Sequence, residues 1–234
     1  MPKIRIYFEK KIIKDEKFLL NIDQTHYLKN VMRKKNGEKV LAFDESSEWE
    51  CRLLFEEKVS LNPIKKIRSG KMIPDIWICF SLVKKKNVNY LVEKISEIGV
   101  RKIIPIITEF SETNIVNTMR LRKISIEAVE QSNSIKLPEI SEVYSISKIL
   151  ENWDEDRMIF FCDECGGKSI LGSEEAFQRY KKYAIFIGPV GGWSFNDREL
   201  FKNLKSYNFS LGSNILKADT AAIYALSCLR SLIG

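Results

Sequence analysis

Gly188, Gly191 and Gly192 fall inside YAIFIGPVGGWSFNDREL, Tyr183 to Leu200, directly after a short apolar run that ends at Ile187. Glycines in such a loop let backbone N–H and C=O groups approach a ligand with no side chain in the way, and a helix start beyond the loop adds orphan donors. A second loop of this kind lies in SLGSNILKADTAAIYAL, Ser210 to Leu226. There Leu211 and Gly212 close an extended segment, and Asp219 and Thr220 stand where the N-cap of the apolar TAAIYALSCLRSLI is expected. Two glycine loops at one sheet edge make one pocket, suited to a polar small molecule; the alternative is that they serve only tight turns. GPVGGW does not meet the G-x-G-x-x-G spacing, and no G-x-x-x-x-G-K-[ST] occurs, so neither a dinucleotide nor a phosphate-cradling nucleotide site is supported.

Other reactive groups are sparse. Cys162 and Cys165 form a C-x-x-C, but a structural zinc needs about four ligands, and the single histidine, His26, is far away in sequence. No metal is expected, and Cys162 reads as the end of a buried strand, MIFFC. The five cysteines are odd in number and scattered, which argues against a disulfide framework.

Charge points to a partner. The formal charge is +7, and it is unevenly spread: residues 1–70 hold 16 Lys and Arg against 11 Asp and Glu, residues 71–234 hold 22 against 20. A basic first part suits a polyanion, nucleic acid before membrane, set against a merely solvated lysine-rich surface. The first residues are charged every few positions and no uncharged apolar stretch is long enough to span a bilayer, so a soluble cytosolic protein is expected. With 44% hydrophobic residues the chain can build a core without disulfides or metal.

The elements that must position these groups follow from periodicity. KIRIYF, residues 3–8, alternates like a strand; Asp23 precedes an expected helix over QTHYLKNVMRKK, with Tyr27, Leu28, Val31 and Met32 on one side and Lys29, Arg33 and Lys34 on the other, ending at Asn36-Gly37. His26 lies beside that basic face, placed for a helix-end hydrogen bond or an RNA contact. EKVLAFD, EWECRLLFEEKV and NPIKKIR read as short strands, giving a small β-rich domain over residues 1–70, with RSGKMIP (68–74) as the hinge. From Ile76, IWICFSLV suits a strand buried on both faces; NVNYLVEKISEIGV carries Val88, Leu91, Val92, Ile95 and Ile98 on one helical stripe that Gly99 stops. KIIPIIT, a helix near 118–132, MIFFC and the two glycine-loop units complete an α/β domain over 71–234 with a largely parallel sheet. Lys84 to Lys86 follow its first strand, at the mouth of the expected pocket, where they suit a phosphate backbone or are simply a wet loop.

HYLKNVMR, LVEKISEIGVRKIIPIITEFS, IEAVEQSNSIKLPEI, IGPVGGWSFNDREL and LGSNILKADTAAIYAL, in this order, resemble the RsmE family from end to end. That family methylates N3 of a uridine in 16S ribosomal RNA. The resemblance implies a PUA-like β-barrel over residues 1–70 for RNA and a SPOUT methyltransferase domain over 71–234. It also implies a deep trefoil knot, an exception to the rule against threaded chains, S-adenosylmethionine as cofactor, and a homodimer. Carried over by position, the cofactor would meet Cys162, Asp163 and Glu164; Ile187, Gly188, Pro189, Gly191 and Gly192; and Leu211, Gly212, Ile215, Leu216 and Thr220. Arg5, His26, Lys29, Arg33 and Lys84 would meet RNA.

The sequence departs from the family pattern at several positions. GPVGG has Val190 in place of an acid; LGSNILKADTA has Asn214 and Lys217 where arginines are expected and Asp219 where a glutamate is; TEFS has Phe110 in place of arginine; and Ser134 follows E-Q-S-x where a basic residue is common. The N3–H of uridine is mostly protonated at neutral pH, so a cation near the uracil carbonyls and a proton acceptor are required. Lys217 is the candidate cation, with Glu109 and Asp219 as candidate acceptors. The lost arginines make the competing reading a non-catalytic RNA-binding ribosome-assembly protein on the same scaffold.

Overall fold

The computed structural model describes residues 4–169 and 180–233; Lys3, the first residue of the expected opening strand, lies outside them. The chain divides into two compact units, one of Met1–Met72 with Val129–Leu137, the other of Ile73–Ala128 with Pro138–Gly234.

In the first unit, β1 (Arg5–Tyr7), β2 (Phe18–Leu19), β3 (Lys39–Phe43), β4 (Ser47–Phe55) and β5 (Val59–Ser69) form one sheet in the order β1-β3-β4-β5-β2. Only the β1–β3 pair is parallel. Asp44 makes the β3–β4 turn by accepting the Ser46 and Ser47 amides at 2.6 and 2.8 Å, the usual reason for Asp at such a corner. Ile6, Leu28, Val40, Ala42, Leu53 and Leu61 fill the core.

The expected helix after Asp23 is corrected in both start and extent. Asn21 is the cap: its side chain accepts the Gln24 amide at 2.8 Å while Gln24 accepts the Asn21 amide at 3.1 Å, a reciprocal box that outcompetes Asp23 two residues on. The helix, α1 (Ile22–His26), widens into a π turn over Tyr27–Val31, and Arg33 closes it with φ 52°. The wider turn breaks the expected stripe, so Leu28 is buried while Val31 and Met32 are exposed.

Arg5 is a second correction. It was expected at an RNA surface, but its guanidinium is buried, with Nε 2.6 Å from Glu48 Oε1 and further donors on the carbonyls of Val129, Glu130 and Ser134. Every face of its fork is used inside this unit, where it binds the 129–137 segment to the sheet. A linear boundary at residue 70 does not include that segment.

In the second unit, β6 (Asp75–Ser81), β7 (Lys102–Ile107), β8 (Glu139–Ile140), β10 (Arg157–Cys162), β11 (Lys168–Ser169), β12 (Lys182–Ile187) and β13 (Ser206–Ser210) make a sheet in the order β11-β13-β10-β12-β6-β7-β8, with β9 (Tyr144–Ser145) also on β7. Every pairing is parallel. The near-continuous apolar runs are explained by burial on both faces: Ile78, Phe80, Phe160 and Ile185 point into one core, Cys79, Phe161, Ala184 and Phe186 into the other. The first core is closed by α2 (Lys85–Ile98) and α6 (Ala218–Ile233), whose Val88, Leu91, Ala222 and Leu226 are buried there. The second takes Ile146 and Leu150 of α4 (Ile146–Glu151). Two further helices are α3 (Thr118–Gln131) and α5 (Phe195–Glu199).

Arg157 locks the amino ends of the strands, bound by both amino groups to Asp75 and stacked 3.7 Å from the centre of the Trp77 ring. At the other end of the chain, α6 begins at Ala218, so Asp219 lies within its first turn and is not the N-cap; the Lys217 carbonyl accepts the Ala221 amide at 2.7 Å. Among the described residues no helix is long and apolar enough to cross a membrane.

Candidate active site

The register of the sheet sets three loops level with one another. Cys162 stands opposite both Ile187 and Phe209, and Ile187 opposite Phe80. The chain therefore leaves the sheet at Asp163, Gly188 and Leu211, within one residue of a common line of carboxyl ends, the edge where open parallel sheets take ligands. Both glycine loops and the segment after MIFFC come together there.

The loop after β12 reaches across to the loop after β10. Trp193 folds back into the second core against Phe161 and Phe201, and its Nε1 donates to the Cys162 carbonyl at 2.8 Å. This is what requires Gly188: a Cβ there would lie 2.9 Å from the indole ring. α5 starts at a capping box, with the Asp197 amide donating to Ser194 Oγ at 3.0 Å and the Ser194 amide to Asp197 Oδ2 at 3.3 Å. From its second turn Arg198 donates to both oxygens of Asp163, at 2.8 and 2.9 Å, to Glu164 Oε1 at 2.8 Å, and to the Trp193 carbonyl.

These contacts decide the local electrostatics. Burial alone would push the Asp163 carboxyl up, but the Arg198 hydrogen bonds, with the Cys165 amide, outweigh it and hold the group below its ordinary value. Arg198 is raised in turn, chiefly by its hydrogen bonds to Asp163. Burial pushes the Cys162 thiol up to about 12, so the residue contributes its backbone and not a thiolate. Asp163, Glu164 and Cys165 place one ligand atom each within 4.8 Å of one another, but the Arg198 guanidinium already answers their charge, and three ligands fall short of a closed zinc site.

The other expected cofactor residues divide by exposure. Ile187 and Pro189 are buried; Gly191 lies on the surface with Phe110 beside it, and Gly192 is buried with φ 74°. Leu211 and Leu216 are half-buried against the first core, Thr220 is exposed, and Ile215 projects with 88% of its surface uncovered. No neighbouring atom lies within 4 Å of the space beside Gly212. Uncovered apolar side chains over a backbone-lined edge fit an adenosyl group, which needs apolar faces for the ring and backbone groups for its edge.

Of the three residues expected to do chemistry, Glu109 follows β7 and Lys217 and Asp219 lie where the chain passes from β13 into α6. Glu109 is exposed; its Oε2 accepts from Asn196 at 3.2 Å and its amide donates to Asp197 at 3.4 Å, which ties the loop after β7 to the start of α5. Asp219 Oδ1 accepts the Thr220 amide at 2.9 Å, and Lys217 is exposed with no ion pair among the described residues. Lys84 is exposed before α2, its amide bound to Glu112. In the first unit Lys29 and Arg33 are exposed, and His26 Nδ1 lies 2.9 Å from Asn30 Nδ2, one turn further along. A cavity of about 530 Å³ lies elsewhere, at the β7–β8–β9 edge beside Trp77 and Tyr144. Its Lys102 is already paired with Glu139, and none of the three loops reaches it.

Sequence reading passed over Trp193 and Arg198. The aromatic after GPVGG was a usable signal, since a large side chain right after a glycine loop has to fold back somewhere. The Arg198 pairing had none, because its partners are 34 and 35 residues away.

A parallel α/β unit with convergent loops at its carboxyl edge meets its family here: residues 71–230 match the RNA methyltransferase domain, and the chain belongs to that family. Residues 20–61 match the RNA methyltransferase PUA domain. The chain is 29% identical to Ribosomal RNA small subunit methyltransferase E of Rickettsia conorii, over 97% of this chain and 95% of that one. It is 25% identical to the Bacillus subtilis protein of the same name, over 91% and 89%. In fold it is similar to the Ribosomal RNA small subunit methyltransferase E of Neisseria gonorrhoeae bound to S-adenosyl methionine, with TM-score 0.87, 20% identity and 98% of each chain covered.

Proposed function

We propose that this protein transfers the methyl group of S-adenosylmethionine to N3 of a uridine in 16S ribosomal RNA. The observation that carries the reading is the level register of Cys162, Ile187 and Phe209, which sends three loops of an RNA methyltransferase domain to one edge. The names of the full-length relatives support the small-subunit RNA as substrate.

When bound, the cofactor supplies an electrophilic methyl group on a sulfonium. The chain must do the rest: hold the uracil in line, take the N3 proton and stabilise the charge that moves onto the carbonyls. Lys217, exposed and without an ion pair among the described residues, is the cation for the carbonyl oxygen. Glu109 is the first candidate for the proton, because among the described residues Asn196 engages Oε2 and leaves Oε1 to accept it; Asp219, with Oδ1 on the Thr220 amide, is the second. N3 lies on the Watson–Crick edge, so the base has to be unpaired or flipped out. His26, Lys29 and Arg33 of the first unit, with Lys84 of the second, meet the RNA backbone.

This reading has a finer topology. β13 lies beyond β10, while α6 packs back on β12 and β6, so the chain after β13 has to re-cross the ends of β10 and β12. That path supports a deep trefoil knot of the SPOUT type. Uncovered Val190, Phe195 and Ile215 around the site support a homodimer, and the ribosomal substrate supports action in the cytoplasm.

The deciding experiment supplies labelled S-adenosylmethionine and small ribosomal subunits lacking the modification, followed by nucleoside mass spectrometry. A single 3-methyluridine is expected. A methylated ribose or guanine would overturn the assignment of N3, and cofactor binding with no transfer would leave the protein as an RNA-binding one.

A further inference from the structure

We infer that Arg198 is a positioning residue: from the far side of the GPVGG loop it fixes the loop after β10, and with it the Glu164 carboxylate, in the arrangement that receives the cofactor. The inference rests on the proposed cofactor site, to which it adds a residue that touches neither cofactor nor RNA.

Arg198 meets Asp163 with a two-point fork and reaches Glu164 and the Trp193 carbonyl with its remaining donors. The Asp163 side chain is only 5% exposed, so the pair is sheltered from competing water. The Glu164 carboxylate occupies the space that a Cβ on Gly192 would need, so the bare backbone of one loop and the guanidinium of the next element together determine where this carboxylate points. Trp193 adds a second brace from the same segment, through the Cys162 carbonyl. Four successive residues, Cys162 to Cys165, are thus all held from Trp193 and Arg198. The planar fork matters: a lysine offers one point charge and could not hold both oxygens of Asp163 while reaching Glu164.

The test compares wild type, Arg198→Ala, Arg198→Lys and, as control, Ser96→Ala. Ser96 bonds Val92 and Ser125 between α2 and α3, away from these loops, so its loss destabilises the same unit without touching the brace. Binding of S-adenosylhomocysteine is measured by calorimetry, and amide hydrogen exchange over residues 163–166 is measured without ligand. Expected for Arg198→Ala is a loss of S-adenosylhomocysteine affinity together with faster exchange at 163–166. Arg198→Lys recovers only part of either, turnover at saturating cofactor changes less than affinity, and Ser96→Ala binds as wild type. Unchanged exchange in Arg198→Ala overturns the inference, as does an equal loss of affinity in Ser96→Ala. Failure of wild type to bind the ligand refutes the cofactor reading instead, and the exchange data then decide the brace alone.

Discussion

Trp193 donates its indole N–H to the carbonyl of Cys162 at 2.8 Å, joining two loops that start level on β10 and β12. The same ring fills the place beneath Gly188 that a side chain would need. Trp193→Phe keeps most of the apolar burial but leaves a buried carbonyl unpaired, a loss of about 1–3 kcal/mol. Gly188→Ala forces the ring out of its packing, for about 1–3 kcal/mol as well. Urea unfolding checks both; full stability in Gly188→Ala would mean that the ring relocates without cost.

Arg5 and the exposed cations of the first unit should behave oppositely. Arg5→Ala leaves the Glu48 carboxylate, with a side chain 3% exposed, with Arg68 still on Oε2 but nothing from Arg5 on Oε1, frees the Val129 and Ser134 carbonyls, and should cost about 1–3 kcal/mol. Lys29→Gln and Arg33→Gln should leave stability within about 0.5 kcal/mol and each lower the salt dependence of RNA affinity by about one unit of log–log slope. Filter binding across a salt series, beside thermal melts, separates the two classes.

Lys217→Ala should slow methyl transfer by about a hundredfold or more, as expected for loss of one charge-stabilising donor. Cofactor affinity should stay near wild type, because the side chain is exposed and makes no ion pair among the described residues. Single-turnover kinetics with saturating cofactor measures this, and an unaltered rate removes Lys217 from the mechanism.

Asp163 gives a pH dependence of definite sign. Its folded value is depressed, because the Arg198 and Cys165 hydrogen bonds outweigh burial, so its contribution is complete above the ordinary carboxyl value of about 4 and fades as pH falls through the lower folded value. The stability gap between wild type and Asp163→Asn should be constant at neutral pH and narrow in acid below about pH 4. Urea midpoints from neutral pH to acid test it; a gap that widens in acid would contradict the sign.

The elements were largely legible because their signals are local. Period-two and unbroken apolar runs announced β6, β7, β10 and β12, a 3.6-residue stripe announced α2, and glycine clusters marked the two loops at the sheet edge. The first helix was misplaced by two residues because a choice between Asn21 and Asp23 as cap depends on whether Gln24 can reciprocate.

The sequence by itself determined which residues of the parallel strands and of α2 face a core, and that two bare-backbone loops follow strands of one parallel sheet, since burial periodicity and glycine usage are written in neighbouring positions; the stripe of the first helix, broken by its π turn, was not among them. The tertiary structure alone decided which charges meet. It buried Arg5 against Glu48 and the 129–134 carbonyls, brought the 129–137 segment to the first unit, and set Arg198 on Asp163. Such pairings join residues tens to more than a hundred positions apart, and a charged side chain looks the same in sequence whether the chain path carries it to solvent or to a partner.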